Sequence, residues 1–138
     1  MSSIMVIILI LASHLMPSNV NTCQVKIGDK EMTMTRDADN SWIMKEVTLN
    51  KDGSVKKEKV HPVGTINNLK LSVPMGNGKT HELDVSSMLG VKNVTELKAL
   101  TALTVGRDKL KIVKSGNSFV LKKDDKEFVK VSWKNKKK

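Results

Sequence analysis

Chemistry in this chain would have to come from few side chains. The three histidines are His14, His61 and His81, and Cys23 is the one cysteine. Neither their number nor their spacing makes a zinc set. There is no Gly-x-Ser-x-Gly elbow and no Cys–His pair at a recognisable distance, so no nucleophile or general acid is named. The expectation is a binding protein rather than an enzyme, with no cofactor, no catalytic residues and no metal centre.

Three local motifs invite a sharper reading. Gly76-Asn-Gly-Lys-Thr80 ends like a phosphate-binding loop. The glycine that should open such a loop falls at Val73, Pro74 interrupts it, and Glu82 to Val85 alternates like a strand, so a glycine-rich hairpin turn is the better account. The stretches from Asp37 and from Asn50 begin like calcium loops. They carry Trp42 and Val55 where the sixth position needs glycine, and Thr48 and His61 where the twelfth needs glutamate, which leaves ordinary turns. Asn93-Val-Thr95 is an N-glycosylation sequon, usable only in a eukaryotic secreted protein. Asn93 also stands three residues before Glu96 as a helix N-cap, and one amide cannot fill both roles fully.

The strongest functional signal is charge. The chain has a formal net charge of +10, with Arg36 and Arg107 its only arginines. From Arg107 to Lys138 there are 12 basic against 4 acidic side chains, whereas Cys23 to Gly106 holds 12 against 10. If Leu110, Ile112, Phe119, Leu121, Val129, Val131 and Trp133 face a core, strand alternation throws Lys109, Lys111, Lys122 and Lys130 to the opposite face, with Phe128 among them. Lys134 and Lys136 continue the charge into a basic tail. Lysine is a hydrated point charge, suited to loose attraction to a polyanion more than to bidentate recognition. An aromatic among lysines could stack on a sugar or base or enter a membrane interface, or could simply pack on a neighbouring element while the lysines keep the hairpin soluble.

The compartment is set by the start of the chain. Met1 to Cys23 contains no Asp, Glu, Lys or Arg and includes the apolar run Ile4 to Ala12. That run has the length of a signal-peptide core and falls short of a bilayer span. Cleavage after Val20-Asn21-Thr22 would make Cys23 the first mature residue. The expected organisation is a signal peptide over residues 1–22, one β-rich domain over 23–133 and a basic tail over 134–138, in a secreted protein. Asn21 and Thr22 are poor lipobox residues, which argues against a lipid on Cys23 and leaves a cysteine able to pair between chains.

Fold class follows from periodicity. Period-two stretches begin at Cys23, Met32, Trp42, Val55, Leu69, Leu83, Leu110, Phe119 and Val129, with Gly, Asn, Asp or Pro turns between them. They predict a mainly β fold of antiparallel hairpins, a sandwich or open barrel. The strand from Val55 should stop at Pro62. One short helix is expected near residues 94–104, from Val94, Leu97, Leu100 and Leu103, closed by Gly106. The pattern Met32-x-Met34, Trp42-x-Met44 is echoed by Leu110-x-Ile112, Phe119-x-Leu121, through duplication or shared hairpin patterning.

Two functions fit. The first is a small basic binding protein engaging an anionic extracellular partner, such as a sulfated glycan, an anionic membrane or an acidic protein, through its C-terminal hairpin. The second is a carrier whose inner sheet faces enclose an apolar ligand, lined by Met32, Met34, Met44 and Trp42. Nucleic acid is disfavoured by the leader and by the scarcity of arginine.

Overall fold

The computed structural model describes residues 3–28 and 30–134. The apolar N-terminal run forms α1 (Ser3–Leu15). A helix apolar on every side has no face for water and must be enclosed. Val6 to Ser13 are all buried, and Ile7, Ile8, Leu9, Ile10, Leu11 and Ala12 are completely so. Consecutive burial through two turns requires protein around the whole circumference of α1.

Most of the chain around it forms a single antiparallel sheet. Its strands are β1 (Thr22–Ile27), β2 (Lys30–Arg36), β3 (Ser41–Leu49), β4 (Val55–Asn67), β5 (Lys70–Pro74), β6 (Thr80–Asp84), β7 (Ala102–Val105), β8 (Asp108–Ser115), β9 (Ser118–Lys123) and β10 (Lys126–Ser132). They lie in the order β6-β5-β4-β3-β2-β1-β10-β9-β8-β7. Every neighbouring pair except β1–β10 is consecutive in sequence, and β1 meets β10 with Val25 opposite Val131. Two short helices, α2 (Ser86–Leu89) and α3 (Val94–Lys98), make the connection between the edge strands β6 and β7.

The mainly β, antiparallel, hairpin-built class expected from the sequence is the class observed, as one open ten-stranded sheet. Its inner face supplies the core: Val25, Met34, Trp42, Leu71, Phe119, Leu121, Val129 and Val131 are at most 1% exposed and belong to one cluster with α1. Phe119 and Trp133 meet at a tilted angle with ring centroids 6.3 Å apart. The stretch Gly76–Gly78 is a hairpin turn, with Asn77 at φ 53° and the Lys79 amide donating to the Gly76 carbonyl.

Two boundaries differ from expectation. The helix over 94–104 stops at Lys98: Asn93 caps it, accepting from the Glu96 amide at 2.8 Å, but Leu103 belongs to β7 opposite Leu110. Four leucine and valine positions three apart are satisfied as well by one helical turn followed by a strand. The second difference is β4, which runs through Pro62 to Asn67. At Pro62 the strand has β3 on one side, while pairing with β5 begins only at Thr65, so the missing N–H is tolerated as at an edge. The β3–β4 register also shifts here, with Trp42 opposite Gly64 and Ile43 opposite Pro62. An added Cβ at Gly64, which has φ +151°, would collide with the Ser72 carbonyl oxygen.

Candidate anion-binding face and apolar interior

The outer face of β8, β9 and β10 carries the lysines that alternation assigned to it. Lys109 and Lys111 on β8 and Lys130 on β10 are exposed, and Lys122 on β9 is half-buried. Lys111 lies directly opposite Lys122, and Lys122 in turn faces Glu127. Lys109 faces Thr104 of β7. Phe128 occupies an irregularity in the β9–β10 ladder, between Glu127 and Val129, and is 38% exposed. A bulge of this kind turns a side chain away from the regular alternation. Lys134 follows β10 and is exposed; Lys136 lies outside the described residues.

Some of this charge is partnered. Lys111 lies 3.9 Å from Asp125, and Lys123 lies 3.0 Å from Asp108, which raises the Lys123 pKa above its ordinary value by hydrogen bonding. Pairs this exposed hold little energy and leave the lysines free to exchange partners. Lys114 instead reaches the Lys98 carbonyl at the end of α3, and burial lowers its pKa.

One member of the face was missed by sequence reasoning. Lys26 on β1 sits directly opposite Lys130. Their juxtaposition depends on the pairing of the first strand with the last, for which no local signal exists. On its other side Lys26 faces Glu31.

A second constellation closes the interior. The Arg36 guanidinium, at the end of β2, donates from Nη1 to the Ser13 carbonyl at 2.8 Å and from Nη2 to the carbonyls of Pro17 and Val20 at 2.8 Å each. It lies 5.7 Å from the centre of the Trp42 ring. A cation at the carbonyl end of a helix meets both the orphaned acceptors and the negative end of the helix dipole. Burial nevertheless lowers the Arg36 pKa. Beside it, Asn40 Nδ2 donates to Ser13 Oγ at 2.8 Å and to the Ile66 carbonyl at 3.0 Å, while Asn40 Oδ1 and Trp42 Nε1 are buried with no partner among the described residues. A cleft of about 310 Å³ opens at this end, bordered by Ser13, His14, Met16, Arg36, Asp37 and Asn40. The Asp37 carboxylate is engaged by the amides of Asp39 and Ser41.

Cys23 is 1% exposed and opposite Met34, not available for pairing between chains in this fold. Desolvation pushes its thiol up to about 12, against a smaller opposing pull from Arg36. His61 and His81 are both exposed. Among the described residues, no group of three His, Cys, Asp or Glu is placed to hold a metal ion, and no helix is long and apolar enough to cross a membrane.

No family model, curated protein or solved structure matches this chain. The functional reading therefore rests on the two constellations themselves.

Proposed function

We propose that this is a small secreted binding protein that engages an anionic extracellular partner through the outer face of β8–β10, extended by Lys26 of β1. One observation carries the reading: two lysine pairs, Lys26–Lys130 and Lys111–Lys122, stand directly opposite each other across neighbouring strands. Like charges in that position cost stability. A polymer of closely spaced anions, with a sulfated glycan as the leading example, neutralises both pairs at once. Phe128 then offers an apolar contact at the border of the patch, and Lys109, Lys134 and Lys136 extend its field.

Retention on immobilised heparin tests this. Replacing Lys26, Lys122 and Lys130 together by Ala is expected to move elution to clearly lower salt. The same loss of charge on β4, at Lys56, Lys57 and Lys59, is expected to move it less. Equal shifts for the two triple variants would reduce the effect to net charge and remove the assigned face.

A second reading, a carrier of an apolar ligand, is favoured by the apolar inner face of the sheet. In the full chain that face is filled by α1, the same segment whose composition reads as a removable leader.

A further inference from the structure

If the leader is removed, as the secretory reading requires, the fold loses its central element. Hydrolysis of the Thr22–Cys23 bond by a leader peptidase adds the elements of water, leaving a carboxyl on Thr22 and an amine on Cys23. It takes away α1 and leaves β1 paired with both neighbours from Cys23 onward. The completely buried side chains of Ile7 to Ala12 go with it. An interior emptied to that extent cannot simply stay vacant, since cavities cost about 24 cal/mol per Å³. It must collapse or take another apolar occupant.

The shape and chemistry of what leaves describe what could replace it. The 13 residues of α1 make a rod about 20 Å long, with side chains in the buried stretch that are almost wholly aliphatic. The buried cluster it belongs to combines branched aliphatics with Met34, Trp42 and Phe119. Polar demand is confined to one end. When Ser13, Pro17 and Val20 depart, Arg36 loses all three carbonyl acceptors, and Asn40 Nδ2 loses Ser13 Oγ. A half-buried guanidinium is then left without these acceptors, and Asn40 Nδ2 keeps only the Ile66 carbonyl at 3.0 Å, at a mouth still bordered by Arg36, Asp37, Ala38 and Asn40. A guanidinium fork in such surroundings matches a carboxylate, which can accept two parallel hydrogen bonds.

We propose that the space held by α1 in the full chain is, in the processed protein, a site for a long-chain fatty acid. The acyl chain lies along the path of Val6 to Ala12 and the carboxylate accepts hydrogen bonds from Arg36, with Asn40 beside it. This rests on the carrier reading and on leader removal. It adds the ligand class, the orientation and the residue that selects the head group. The anion bound outside by lysines and the amphiphile bound inside are separate ligands on opposite faces of one sheet.

The test uses protein secreted by cells expressing the full chain. The N-terminus and native mass are measured first, then displacement of cis-parinarate from delipidated protein by oleate and by oleyl alcohol. The expected results are a start at Cys23, an adduct of fatty-acid mass, and displacement by oleate at least about tenfold stronger than by the alcohol. Arg36→Gln should abolish that preference while retaining the probe, and Arg36→Lys should keep part of it. A start at Cys23 with neither adduct nor probe binding overturns the site while leaving the leader intact. A retained Met1 overturns leader removal and the site with it. Equal displacement by acid and alcohol in the wild-type protein overturns the role of Arg36, whether or not the Gln variant folds.

Discussion

Arg36 Nη1 donates to the carbonyl of Ser13 at 2.8 Å, so that a cation at the end of β2 closes the C-terminal end of α1. The same guanidinium holds the chain at Pro17 and Val20 as it leaves the helix. A single side chain thereby fixes the exit of the buried helix and the entry to the sheet.

In the full chain, Arg36→Met should therefore be costly. Hydrogen bonds to a charged group contribute about 1.5–3 kcal/mol each, and the carbonyls of Ser13 and Val20 would be left without this donor. Their proximity to the surface lets water replace part of that, so a net loss of about 2–4 kcal/mol is expected by urea unfolding. A loss below about 0.5 kcal/mol would mean that the guanidinium is not holding the helix end.

The opposed lysines predict a conflict between stability and binding. Lys130→Glu places a carboxylate directly opposite Lys26, converting repulsion to attraction. The melting temperature is expected to rise, with a gain of roughly 0.2–1 kcal/mol, while heparin retention falls. A variant that binds as before would separate the lysine pair from the anion site.

Cys23 should make stability fall in alkali. The unfolded thiol has a pKa near 9.0 and the folded one is pushed up to about 12, so the folded state holds its proton where the unfolded state has lost it. Its contribution is complete below pH 9 and is lost as pH rises toward 12. Wild type should lose about 2–3 kcal/mol more than Cys23→Ala between pH 9 and 11, since each unit corresponds to 1.36 kcal/mol. Parallel curves for the two proteins would refute a desolvated thiol. The same burial predicts slow labelling by thiol reagents at pH 8 until urea is added.

Gly64→Ala tests the close approach of β4 and β5. The new Cβ would collide with the Ser72 backbone oxygen, which cannot rotate away, and the φ of +151° disfavours any side chain. A loss of about 3 kcal/mol or more is expected from denaturant unfolding. Gly53→Ala, at a turn with open space around it, should cost less.

The hairpins were legible because each announces itself locally. Asn117 to Leu121 combines a turn with alternating apolar residues, and β9 follows that pattern, Phe119 and Leu121 buried and Lys122 turned outward. Period three was ambiguous over Val94 to Leu103, since Leu97 is buried from a helical turn and Leu103 from a strand. The β1–β10 pairing left no local trace, so Lys26 could not be added to the basic face from sequence. The destination of Ile4 to Ala12 was equally silent. An apolar run specifies an apolar surrounding, and a signal peptide in transit and a helix inside a sheet satisfy that requirement alike.

The pairing of β1 with β10 also dictates an order of assembly. Strand β1 gains its second neighbour only when β10 has been made, and Val129 and Val131 join the core with it. Throughout translation the N-terminal run has no finished receptacle and stays accessible to whatever machinery reads nascent chains. Pairing of β1 with β10 is the step that ends that accessibility.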